Sequence, residues 1–154
     1  MFYYEQNEDA IHHFSLTGLI KEDETISIDY QNGYVSHLGI LNNRAHHYSG
    51  IQLTGNEIRV LVPLFMNFPY HCPYEILHAS YNSGRMDEKL IAMSRITLQD
   101  ALENGYWNEE FRGVRGTISR VRRKLIVFNL DIGSILQTGY QLQKIGQKIS
   151  QKVS

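Results

Sequence analysis

Between Phe111 and Leu125 the chain places five arginines, at 112, 115, 120, 122 and 123, and no acid follows Glu110 until Asp131. Guanidinium groups donate in planar forks to phosphate oxygens and to the acceptor edges of bases, so the chemistry open to this segment is recognition of a polyanion. The spacing supports it. Val114, Ile118, Val121 and Leu125 recur at i, i+4, i+7 and i+11 and share one narrow buried stripe of a helix. The opposite face then carries Arg112, Gly116, Ser119, Arg120 and Arg123, flanked by Arg115 and Arg122. Like charge gathered on one face repels itself, and a bound anion is the economical explanation. Gly113 and Gly116 each cost about 1 kcal/mol in a helix interior. Either the helix begins after them, or Gly116 lets a ligand surface come close to the backbone.

Whole-chain charge hides this segment. The net charge of -1 is divided: residues 1–110 hold six lysines and arginines against fifteen acids, a balance of -9. Residues 111–154 hold nine bases against Asp131 alone, a balance of +8. Asymmetry of that size points to a polyanion-facing surface on one part of the molecule. With 154 residues, 42% hydrophobic and 20% charged, the chain suits one globular unit with a real core and excludes disordered or collagen-like classes.

Other chemistries are weaker. His12-His13, His46-His47 and His71-Cys72 invite a metal, yet no H-x-x-x-H and no second cysteine is present. They read as polar loop residues, and no cofactor is expected. Cys72, the single cysteine, excludes an internal disulfide and fits a reducing compartment, so a cytoplasmic location is expected. No apolar run approaches the roughly 20 residues of a membrane span, and the N-terminus lacks the basic-then-apolar order of a secretory signal. With no Gly-rich phosphate loop, no G-x-S-x-G and no paired carboxylates outside Glu22-Asp23-Glu24, no enzyme and no small-molecule substrate are implied.

The elements that must hold the arginine helix follow from local patterning. Residues 26–38 predict a hairpin turning at Asn32-Gly33 with two positive φ angles; 14–16 and 50–53 add strands, with 38–49 as a polar loop. Thr54-Gly55-Asn56-Glu57 is a capping box opening a helix with Ile58, Leu61, Val62 and Phe65 on one stripe, kinked at Pro63. Pro73 predicts the first residue of a short helix over 73–81. A second begins at Thr97 and ends before Gly105. Either can be the second core helix and the other an insertion. Residues 130–142 predict a closing hairpin with its polar tip at Gln137-Thr138-Gly139.

Three anchors in order, Leu53-Thr54-Gly55-Asn56-Glu57, the run from Val114 to Leu125, and Gly139-Tyr140-Gln141-Leu142, give a chain that resembles the OmpR/PhoB-type winged-helix DNA-binding domains, and among them the ToxR/CadC-like regulators. The resemblance covers residues 11–143, with 1–10 as an arm and 144–154 as a basic tail or a connector to a membrane segment. It implies an α+β winged helix-turn-helix: a four-stranded N-terminal antiparallel sheet, three core helices plus an inserted one, and a C-terminal hairpin wing. The implied activity is transcriptional regulation, with the recognition helix at about 111–126 in the major groove of double-stranded DNA and the wing at 130–142. Arg115, Ser119 and Arg122 would meet base edges or nearby phosphates, Arg112, Arg120 and Arg123 phosphates, with Gln137 and Thr138 at the wing tip. A homodimer on DNA is the further partner implied, and the linker at 85–110, with Trp107 just before the recognition helix, is a candidate surface for an RNA polymerase contact. Leu136-Gln137 stands where the family often has Arg-Gly, the linker before the recognition helix is longer by about a helix, and Pro63 is foreign to the pattern. The missing wing arginine and the extra helix motivate an alternative, a winged-helix protein-interaction module of a signalling complex, membrane-anchored or not, with weak or no DNA binding.

Overall fold

The computed structural model describes residues 11–146. The expected arm, with Phe2-Tyr3-Tyr4, and most of the expected tail lie outside the described residues. The architecture is α+β. Strands β1 (Ile11–Phe14), β2 (Glu24–Asp29), β3 (Tyr34–Leu41) and β4 (Arg44–Gln52) form an antiparallel sheet in that order.

Two turns differ from expectation. At Asn32-Gly33 only the glycine has positive φ, +70°. The β2–β3 loop is longer because an Asp29 carboxylate oxygen accepts from the N–H groups of Gln31 and Asn32, both at 3.1 Å, while the Asp29 carbonyl accepts from Gly33 at 2.8 Å. The turn with two positive φ angles lies instead at Asn42-Asn43, +54° and +61°, between the paired residues Leu41 and Arg44. Residues 38–49 are therefore a strand ribbon, not a polar loop. Its distal end is exposed on both faces, so the apolar alternation that marks a half-buried strand is missing there.

Helix α1 (Gly55–Asn67) starts at the capping box: Thr54 Oγ1 accepts from Glu57 N–H at 3.3 Å, and a Glu57 carboxylate oxygen accepts from Thr54 N–H at 2.8 Å. It buries Val60 and Leu64 as well as the expected stripe, and so runs through the core. Pro63 lies inside it, buried, and removes the donor that the Arg59 carbonyl would otherwise receive. The Ser80 hydroxyl supplies that donor at 2.5 Å from the neighbouring helix.

A short strand β5 (Cys72–Pro73) precedes α2 (Tyr74–Ser83), so Pro73 caps that helix from outside instead of opening it. Helix α3 (Glu88–Glu103) is continuous, capped by Asp87, whose carboxylate accepts from Leu90 N–H at 3.0 Å. Thr97 is not a start. Ser94, Leu98 and Ala101 bury one face at i, i+4 and i+7 straight through it. Of the two, α2 packs on α1, and α3 rests on α2 and α4 (Trp107–Leu125) from outside. A 3₁₀ turn (Ile126–Phe128) leads to β6 (Leu130–Ile135) and β7 (Gly139–Lys144), which with β5 make a second sheet in the order β5-β7-β6. Among the described residues no helix is long and apolar enough to cross a membrane.

Candidate nucleic-acid interface

Helix α4 begins one turn before the expected segment and takes in both glycines, so it does not start late. Its buried face is Phe111, Val114, Thr117, Ile118, Val121 and Leu125. Trp107 opens the helix, with its ring stacked on Phe111 at 4.7 Å and edge-on to Tyr74 at 5.1 Å. Gly113 answers to packing. A β-carbon there would lie 2.8 Å from the Tyr81 hydroxyl of α2. Gly116 has no such duty, since its β-carbon would meet only an Arg120 nitrogen at 3.7 Å.

Arg112, Arg115, Ser119, Arg120, Arg122 and Arg123 are all exposed, but they are held differently. Arg112, Ser119 and Arg123 make no side-chain hydrogen bond or ion pair among the described residues, and with Gly116 they run down the centre of the outward face. Arg115 lies over the Trp107 ring, 5.6 Å from its centroid, and donates to Asn108 at 3.2 Å. Arg120 donates to the Thr117 hydroxyl at 2.9 Å, which itself donates to the Gly113 carbonyl at 2.8 Å. Arg122 is bound by Asp131 of β6, Nε to Oδ1 at 2.8 Å and Nη2 to Oδ2 at 3.3 Å. The guanidinium hydrogen bonds hold the Asp131 carboxyl below its ordinary range, and the carboxylate raises Arg122 in turn.

The helix dipole accounts for part of this charge. Glu109 and Glu110 occupy the first turn and Arg122, Arg123 and Lys124 the last, the favourable arrangement at both ends. Arg112 and Arg115 lie in the half where cations gain nothing from the dipole. Arg115 has Trp107 and Asn108 beside it, and Arg112 has no such partner among the described residues.

The β6–β7 hairpin lies along α4, its base at Arg122 and its tip towards Trp107. Leu136 and Gln137 border an open groove with Trp107, Tyr74 and the α3 residues Leu98 and Leu102. Gln137 is exposed with φ +55°. Thr138 is engaged internally: its hydroxyl donates to the Leu136 carbonyl at 2.9 Å, and its own carbonyl accepts from Tyr74 N–H at 3.2 Å. The hairpin is no free flap, because β7 also pairs with β5, Cys72 opposite Tyr140 and Pro73 opposite Gly139.

Several residues that hold α4 in place are not legible in the sequence. Asp131 was visible only as the lone acid after residue 110. Lys124, on the flank of α4, pairs with Glu57 at 2.7 Å. His78 of α2 bridges Ser94 of α3 and Glu110 of α4, at 2.8 Å each, fastening the outer helix. The histidine pairs are not loop residues: His12-His13 lie in β1 and His46-His47 in β4, where neighbouring side chains point to opposite faces and cannot share an ion. Among the described residues no three His, Cys, Asp or Glu side chains converge on a metal-sized site. Burial pushes the Cys72 thiol up, with Glu75 adding to the shift, which leaves it a poor nucleophile. No protein-family model, no curated protein and no solved structure matches this chain.

Proposed function

We propose that this protein is a sequence-specific DNA-binding transcriptional regulator of the winged-helix class, similar to OmpR/PhoB-type and ToxR/CadC-like domains, acting in the cytoplasm without enzymatic activity. Helix α4 enters the major groove of double-stranded DNA, and the β6–β7 hairpin is the wing beside it. The observation that carries this reading is the outward face of α4, where Arg112, Ser119 and Arg123 stand around Gly116 with no side-chain hydrogen bond or ion pair among the described residues. The element order supports it too: a four-stranded sheet, a capped helix, a short strand, further helices and a hairpin that pairs back onto the short strand. Two copies on paired half-sites are part of the proposal.

Titration of labelled duplex DNA at two salt concentrations tests it. Each neutralised phosphate contributes about -0.9 to the slope of log K against log salt. A steep slope, flattened in Arg112→Ala/Arg123→Ala, is the expected outcome. No binding at low salt, or equal binding by that variant, sinks the proposal.

A second reading is a winged-helix protein-interaction module, and the outer helix favours it. Helix α3 exposes Met93, Ile96 and Leu102, and residues 85–110 are the segment proposed to meet RNA polymerase. Substituting all three by Ser, and separately Arg112 and Arg123 by Ala, separates the readings: under the first the Ser variant still binds DNA and the arginine variant binds it more weakly, and under the second a partner is lost with the Ser variant and kept by the arginine variant.

A further inference from the structure

We propose that Arg122 reads a guanine base edge, and that Asp131 is the positioning residue that makes it a base reader and not a phosphate contact. The inference rests on the DNA-binding reading above and deepens it.

A guanidinium can present two edges. The side edge, Nε with Nη2, is taken by Asp131 at 2.8 and 3.3 Å. The end edge, Nη1 with the second Nη2 hydrogen, makes no other hydrogen bond among the described residues. Guanine offers two acceptors, N7 and O6, in the spacing that an arginine fork matches. With the side edge occupied, the only bidentate approach left to Arg122 is end-on.

Charge then decides the type of acceptor. Asp131 is itself held, since the Ile132 N–H donates to its Oδ1 at 2.7 Å. A phosphate approaching Arg122 end-on also meets this carboxylate a few ångströms behind the guanidinium, and the repulsion offsets part of the attraction. A neutral base edge needs only the two N–H donors and meets no such penalty. Arg112 and Arg123, with no acid beside them, keep their full attraction for phosphate.

Order counts as well. An arginine free in solvent loses rotamer freedom when it is fixed in one pose, and Asp131 has already fixed this one. The location suits the role. Arg122 and Asp131 line one open groove with Ser119, Arg123, Ile126 and Ile145, so the pair borders the outward face of α4 and is not hidden beneath the wing. Asp131 is also the sole acid among residues 111–154, in the one place where it meets an arginine of this face.

The test is selection of duplexes from a random pool by the wild-type chain and by Arg122→Ala, Arg122→Lys, Asp131→Asn and Arg123→Ala, followed by salt titrations on the selected sequence. Circular dichroism melts confirm that each variant is folded. Arg122→Ala should lose discrimination for guanine at one base pair by about 5- to 150-fold while keeping the wild-type salt slope. Arg122→Lys, a point charge without a fork, should not restore it. Asp131→Asn should lower the guanine preference and steepen the slope by about 0.9, because Arg122 becomes free for phosphate. Arg123→Ala should do the reverse of Arg122→Ala, keeping the selected sequence and flattening the slope by about 0.9. If Arg122→Ala selects the unchanged sequence with a flatter slope, Arg122 is a phosphate contact and the assignment is wrong. If the wild-type chain binds no duplex at low salt, the DNA-binding reading itself fails and this assignment falls with it.

Discussion

Glu57 and Lys124 meet at 2.7 Å, and through them the first turn of α1 is fastened to the last turn of α4. The same Lys124 ammonium donates to the Gln52 carbonyl at 2.9 Å, so the end of β4 joins the contact. Glu57 therefore serves twice, as the capping-box acid that receives the Thr54 N–H and as the anchor of the arginine helix. Its side chain is only 2% exposed, which makes this pairing a condition of burying it.

Burial alone would raise the Glu57 pKa, but the Lys124 and Thr54 hydrogen bonds together outweigh it and leave it below the ordinary 4.5. Asp131 is likewise held below its ordinary 3.8. A carboxyl depressed in the folded state contributes stability that is fully present above its unfolded pKa and disappears as pH falls through the folded one. Thermal melts should therefore be flat in this respect above about pH 5 and fall below it. Lys124→Met removes the partner of Glu57 and should cost about 1.5–3 kcal/mol at neutral pH, with a weaker acid dependence. An unchanged midpoint at pH 7 would show that the pair does not hold the helix.

Gly116→Ala separates stability from binding. Nothing but the end of Arg120 stands near the added methyl, so the free protein should gain about 1 kcal/mol of helix propensity, or roughly 2–4 °C in Tm. On the DNA-binding reading the same methyl faces the duplex and weakens binding. Calorimetry and DNA titration on one sample check both signs; a variant that is more stable and binds equally well would remove Gly116 from the interface.

Gly139→Ala should behave in the opposite way. A β-carbon there would stand 2.0 Å from the Cys72 carbonyl oxygen, a backbone atom held by the β5–β7 pairing. Relief requires the strands to part, and a loss of about 3 kcal/mol is expected. Hydrogen exchange should report it as faster exchange confined first to β5 and β7. Wild-type stability would mean that the second sheet yields without cost.

The parts of the fold that local chemistry controls were readable from the residues. Thr54 and Glu57 specify the start of α1 because a capping box needs only neighbours in sequence, and Val114, Ile118, Val121 and Leu125 specify the buried side of α4 because helical spacing is enough. Errors arose where a local signal competed with packing. Thr97 has the chemistry of a helix start, yet Ser94, Leu98 and Ala101 carry α3 through it. Asn32-Gly33 has the composition of a two-residue turn, yet the Asp29 carboxylate lengthens the loop and the turn type falls to Asn42-Asn43.

Residue order and the helical repeat are enough to put the arginines on one face of one helix. What the sequence alone does not decide is which of them are free. Arg115, Arg120 and Arg122 look alike in the chain, but Trp107, Thr117 and Asp131 hold them. Arg112 and Arg123 remain without a partner among the described residues. For Arg122 the difference is tertiary, since its carboxylate lies nine residues away in a strand brought alongside α4 by the closing hairpin. Charge pairing acts over a few ångströms of space, and only the packed structure sets those distances.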